Sequence, residues 1–132
     1  MKKKSSHRPK PTVAELAILN VLWRLGPATV RDIRAGLDRP QAVGYTTVLK
    51  FLQIMTGKGL VARNESERAH VYQALAPREE TQRQMVGDLL ERAFGGSAAQ
   101  LVLRALSSRK ASREEIQEIR NLLDSFEKGG RK

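Results

Sequence analysis

Three times in this chain a Ser or Thr stands three residues ahead of an acidic residue, just before an apolar run: Thr12 to Glu15, Thr29 to Asp32 and Ser112 to Glu115. Each has the form of a capping box, in which the hydroxyl accepts from an unpaired amide of the first helical turn and the acid reaches back to the cap residue's own amide. The boxes place helix starts. After the first, Leu16, Ile18, Leu19, Val21, Leu22 and Trp23 make the helix apolar on most sides, as expected for one buried in a small domain, and Gly26-Pro27 ends it. Trp23 reads as a core residue. After the second, Val30, Ile33 and Leu37 share one face of a short helix.

Asp38 to Gly44 reads as a loop around Pro40, and a third helix runs from Tyr45 to Gly57. Val48, Leu52 and Met55 fall on one face of that helix; Thr46, Thr47, Lys50 and Gln53 are left on the other. Leu60 to Arg63 and Ala69 to Leu75 have the β-branched and aromatic content of strands, with the polar stretch Asn64 to Arg68 as a hairpin tip. Three helices followed by a two-stranded wing is the order of a winged helix-turn-helix. The expected fold class is therefore mainly α, with a winged-helix head.

Beyond Pro77 the pattern is helical throughout. Met85, Val86, Leu89, Leu90, Ala93 and Phe94 recur at helical spacing until Gly95-Gly96; Leu101, Val102, Ala105 and Leu106 follow Ser97; Ile116, Ile119, Leu122, Leu123 and Phe126 follow the third box. Three short amphipathic helices hold too little to bury their own stripes, so the stripes pack back on the head or, as we expect, on a second copy of the chain. The expected homodimer seam is Met85, Leu89, Leu90, Phe94, Leu101, Ile119, Leu122 and Leu123. The reading divides the chain into a flexible basic arm (1–11), a winged-helix DNA-binding domain (12–76), a three-helix dimerisation tail (77–127) and a disordered end (128–132).

Composition narrows the function. The 132 residues contain no cysteine, so disulfides, thiolate metal sites and cysteine nucleophiles are excluded and a reducing cytoplasm is the expected location. Leu16 to Leu25 is the most apolar stretch, yet it holds Asn20 and Arg24 and falls short of the roughly 20 apolar residues of a membrane span. Glu15 and Asn20 likewise interrupt any secretory signal after Met1-Lys2-Lys3-Lys4. The net charge of +10 is uneven: residues 1–75 hold 13 Lys and Arg against 5 Asp and Glu, whereas residues 76–132 hold 11 against 9. A basic head faces a polyanion.

Catalysis finds no support. His7 and His70 are far apart, no nucleophile motif or phosphate loop occurs, and Glu79-Glu80 and Glu114-Glu115 sit in first helical turns, where the macrodipole accounts for them. No enzyme, cofactor or metal site is expected. For DNA, Thr46, Thr47 and Lys50 can enter a major groove together while Val48 and Leu52 hold the helix to the head. Threonine hydroxyls and methyls suit bases and phosphates at close range, and Lys50 can reach a guanine edge or a phosphate. Gly44 and Tyr45, at an amide-rich helix start, suit phosphate contact. Arg68 at the wing and Arg31 on the second helix, with Arg34 and Arg63 behind them, are further phosphate candidates. The rival readings are a winged-helix protein-interaction adaptor that meets an acidic protein, and an RNA binder, which the few aromatic residues disfavour.

Several segments resemble the penicillinase-repressor (BlaI/MecI/CopY) family of bacterial transcription regulators. They are Thr-x-x-Glu-Leu-x-Ile-Leu-x-Val-Leu-Trp (12–23), Gly-Tyr-Thr-Thr-Val-Leu-Lys-Phe-Leu (44–52), Lys-Gly-Leu-Val (58–61), Arg-Ala-His-Val-Tyr (68–72) and Phe-Gly-Gly-Ser-x-x-x-Leu-Val-Leu (94–103). The resemblance implies a transcriptional repressor that binds a palindromic operator as a homodimer, with Thr46, Thr47 and Lys50 reading the groove and Arg68 at the wing. It also implies a membrane sensor protease as partner. The chain departs from the family at three points: Arg104-Ala105 replaces the bond cut in antibiotic-resistance members, the cysteine clusters of copper-responsive members are missing, and Glu67 stands where a glycine usually precedes the wing arginine.

Overall fold

The computed structural model describes residues 8–66 and 68–130. The chain forms α1 (Val13–Leu25), β1 (Ala28–Thr29), α2 (Val30–Ala35), a 3-10 turn (Pro40–Ala42), α3 (Tyr45–Lys58), β2 (Val61–Asn64), β3 (Val71–Ala74), α4 (Arg78–Ala93), α5 (Ala98–Ser108) and α6 (Arg113–Ser125), and ends in a wider helical turn (Phe126–Gly130). The chain is mainly helical, and its head is a winged helix-turn-helix.

The first capping box forms completely. Glu15 N donates to Thr12 Oγ1 at 3.2 Å, and Thr12 N donates to Glu15 Oε1 at 3.0 Å. The second forms by half: Asp32 N donates to Thr29 Oγ1, while the reciprocal bond, which suits the longer Glu or Gln, is not made. Ser97 and Ser112 cap α5 and α6 through their hydroxyls.

The core of the head gathers Ile18, Leu19 and Leu22 of α1, Ile33 of α2, Val48, Leu52 and Met55 of α3, and Leu60, Val61 and Tyr72 of the hairpin. Two glycines are required by geometry. A Cβ on Gly36 would come within 2.8 Å of Val21 Cγ1, so its absence lets the end of α2 close on α1. Gly59, with φ +79, takes the left-handed conformation that ends α3 and sends the chain into β2. Trp23 is half-buried against the core and donates its indole Nε1–H to Ala76 O at 2.8 Å.

Both wing strands form near where the sequence puts them, β2 one residue later than Leu60 to Arg63 and β3 confined to the middle of Ala69 to Leu75, and a third strand joins them. The sheet order is β1-β3-β2, all antiparallel, with Ala28 opposite Tyr72 on one side and Arg63 opposite Tyr72 on the other. Two residues are too few to show a period of two, so β1 left no pattern in the sequence. His70, inside the expected strand Ala69 to Leu75, lies just before β3 and is exposed.

Residues 8–11, placed by the sequence in the mobile arm, are held. Arg8 Nη1 donates to both carboxylate oxygens of Glu80 at 2.8 and 3.0 Å, its Nε to Gly59 O at 3.1 Å, and its own carbonyl accepts from Gln84 Nε2 at 2.8 Å. Pro11 is buried. The remaining arm residues, His7 among them, Glu67, which the sequence puts in the hairpin tip, and the last two residues of the chain lie outside the described residues.

The chain divides into two compact units, and the division falls inside α4, after Gly87. In the second unit neither α5 nor α6 contains a buried residue. No helix among the described residues is long and apolar enough to cross a membrane.

Candidate nucleic-acid interface

The geometry of α3 follows from its two faces. Val48, Leu52 and Met55 are fully buried, which leaves the helix little freedom to roll, and Leu49 and Phe51 pack beside them. Thr46, Thr47, Lys50 and Gln53 are exposed on the far side, as the helical period requires. The start of α3 differs from the starts of α1, α2, α5 and α6: Gly44 has no side chain to cap it, and the first backbone bond of the helix is Val48 N to Gly44 O. The amides of Tyr45, Thr46 and Thr47 therefore have no intrahelical acceptor, and they share this end with an exposed Gly44 and a Tyr45 that is 54% exposed.

The loop before α3 is tied down by a residue whose role sequence reading did not reach. Arg34 donates its Nε–H to Val43 O, two residues ahead of the helix start. Arg34 thus positions the loop rather than standing free for phosphate. Similarly, Arg24 donates to Gly36 O at 2.9 Å, tying the last turn of α1 to the C-terminal end of α2. No local pattern in the sequence announces either bond, because each links residues in different elements.

Arg31 and Arg68 are exposed and make no hydrogen bond or ion pair among the described residues. The fold brings both, with Tyr45, to one cleft between α2, α3 and the wing. Arg63 is spent on an ion pair with Glu65 at the hairpin. Its guanidinium is held above its ordinary value, first by the Tyr72 hydroxyl opposite it and then by Glu65. The Tyr72 hydroxyl is itself buried without a well-aligned hydrogen bond.

At the far end of α3, Glu15 is almost wholly buried, and Lys58 Nζ donates to its two oxygens at 2.9 and 3.0 Å. Burial alone would raise the Glu15 carboxyl, but the Thr12 amide and Lys58 outweigh it and hold the group below its ordinary value. The ion pair ties the first turn of α1 to the last turn of α3. Among the described residues no cluster of His, Asp or Glu is arranged to hold a metal ion.

Residues 11–125 match the penicillinase repressor family. The chain belongs to that family. It is 31% identical over 116 residues to the transcriptional regulator BlaI of Mycobacterium tuberculosis, a match that covers 87% of this chain and 83% of that protein. To the penicillinase repressor of Staphylococcus aureus it is 20% identical over 117 residues, covering 89% and 93%. A MarR family protein from Bacillus stearothermophilus has the same fold, with a TM-score of 0.50 and 20% identity over 97% of this chain and 81% of that one. As a member of a family of transcriptional repressors the chain is not an enzyme.

Proposed function

We propose that this chain is a cytoplasmic, sequence-specific DNA-binding repressor that acts as a homodimer on a palindromic operator and blocks transcription by occupying the promoter. The observation that carries the reading is the outward face of α3: Thr46, Thr47 and Lys50 stand exposed together on a helix whose other face is locked into the core. Short threonines let such a helix approach the floor of a major groove, and Lys50 reaches further to a base edge or a phosphate. The open amides of Tyr45, Thr46 and Thr47, beside an exposed Gly44, support a phosphate contact. Arg31 and Arg68 flank that end of the helix with uncommitted charge.

Dimerisation is supported by the apolar faces of α4, α5 and α6 and the turn after α6, each taken by itself. Leu89, Leu122, Leu123 and Phe126 are between 45% and 56% exposed, and Met85, Leu90, Phe94, Leu101 and Ile119 are only half-buried. Helices this short gain most of their stability from packing an apolar face, and a two-fold seam gives both copies that packing at once. Such a dimer presents two α3 helices to half-sites about one DNA turn apart, or a multiple of it. A sensor protease, the partner that the resemblance implies, would meet Arg104-Ala105 inside α5 in place of the family's cleavage bond. Selection from random duplex oligonucleotides tests the reading. An inverted repeat is the expected result; recovery of no sequence would point instead to an adaptor that meets acidic proteins.

A further inference from the structure

The first turn of α3 has little of its own to hold it. Val48 is the first residue of the helix to enter the core; Tyr45, Thr46 and Thr47, ahead of it, are all exposed. Gly44 has no side chain to cap their amides. The turn is therefore placed by the segment that feeds it. That segment, residues 37–44, makes one 3-10 turn, closed by Ala42 N to Arg39 O at 3.0 Å and Val43 N to Pro40 O at 3.2 Å. Bonds of this kind shape the turn without fixing it to the head. Among the described residues only Arg34 bonds the backbone of this segment with its side chain, donating Nε–H to Val43 O just ahead of the cap. Arg34 stands in the last turn of α2, and its own carbonyl accepts from Leu37 N at 3.1 Å, where the segment begins. One residue of α2 thus grips both ends of the connection.

Arg34 also lines the cleft between α2, α3 and the wing, so its guanidinium has two uses open to it, to meet a phosphate or to hold the loop. The bond to Val43 O commits the Nε–H to the second, and Val43 itself packs half-buried against the core. We propose that Arg34 is a positioning residue for DNA recognition: through Val43 O it sets where the first turn of α3 begins, and so where Thr46, Thr47 and the open amides meet the groove, without touching DNA itself. The proposal rests on the DNA-binding reading above. A contact face has to be held to within about 0.5 Å to work, so losing the tie weakens specific binding. Non-specific binding comes from charge on phosphate and is left nearly unchanged.

Two substitutions separate the N–H from the charge. Gln carries its amide nitrogen at the same point along the side chain as the Arg Nε, so Arg34→Gln keeps a donor for Val43 O and loses the charge. Arg34→Met puts a methyl group there and keeps neither. The carbonyl carbon shift of Val43, read by NMR on the free 132-residue chain, should hold in the Gln variant and move in the Met variant, as a carbonyl that loses its donor does. A shift that stays in place in the Met variant overturns the tie.

Binding to the inverted repeat recovered by selection, and to an unrelated duplex, reads the consequence across a salt series. On the repeat, Arg34→Met should lose roughly tenfold or more, whereas Arg34→Gln should stay within about threefold of the parent, the effect of one screened charge. Both should keep the parent's salt slope. A Gln variant as weak as the Met variant, with the slope reduced by about one, would make Arg34 a phosphate contact and overturn the proposal. Equal losses on both duplexes in the Met variant, together with a lower melting temperature, would reduce Arg34 to a support of the fold and overturn it too. If the Met variant does not fold, the Gln variant decides alone: parental affinity and slope sustain the proposal, and a tenfold loss sinks it. A selection that recovers no sequence overturns the DNA reading and this role with it, while the Val43 shift still decides the tie.

Discussion

Glu15 shows how one side chain serves two levels of structure. It completes the cap of α1 and also receives Lys58 from the end of α3, so a local box and a tertiary tie share one carboxylate. Because its carboxyl is held below the ordinary value of 4.5, the stability it contributes is present in full above that pH and is lost as pH falls through the lowered folded value. Glu15→Gln should therefore destabilise the head at pH 7 by roughly 1–3 kcal/mol, and the gap to the parent should close below about pH 4.5, as read by urea unfolding across pH. A gap of constant size at every pH would remove the charge from the account. The capping half of this role was legible in the sequence, since the box lies within four residues. The Lys58 half was not, because a partner 43 positions away leaves no periodic trace. On the outward face, Lys50→Ala should weaken operator binding by roughly 1–3 kcal/mol and relax discrimination at one base pair if it reads a guanine edge. Unchanged titration curves would take Lys50 out of the groove.

At the scale of elements, the close approach of the end of α2 to α1 depends on the missing side chain at Gly36. The Val21 methyl that a Cβ would meet belongs to the packed core, so it has little room to retreat. Gly36→Ala should cost roughly 1–3 kcal/mol by overpacking and lower the melting temperature of the head; an unchanged melting curve would show that the helices can separate there without penalty. Helix starts were readable because caps are short-range, and α1, α2, α5 and α6 each begin on the expected Thr or Ser. β1 and the anchoring of residues 8–11 were not. Both depend on partners elsewhere in the fold, β3 for the strand and Glu80 with Gly59 for Arg8.

For the whole molecule, the consequences of charge and of the exposed tail can be measured separately. If the basic head neutralises phosphates, DNA affinity should fall by roughly three to five decades between 50 and 200 mM salt for 6 to 10 contacts in the dimer. A flat salt response would sink the polyanion reading. Leu89→Asp should leave the head folded and dissociate the dimer, because a charge placed in an apolar seam must be desolvated without a partner. Sedimentation that reports the same oligomer for parent and variant would refute the seam.

By itself the chain of residues determined the helices, the hairpin and which face of each is apolar, because caps and periodicity act over one or two turns. It also set the uneven charge that turns attention to a polyanion. Only the tertiary structure decided that Arg31, Tyr45 and Arg68 converge on one cleft, that Arg34 is committed to the loop before α3, and that Glu15 ties two helices together. Those outcomes hang on contacts between residues distant along the chain, whose geometry exists only once the core has closed.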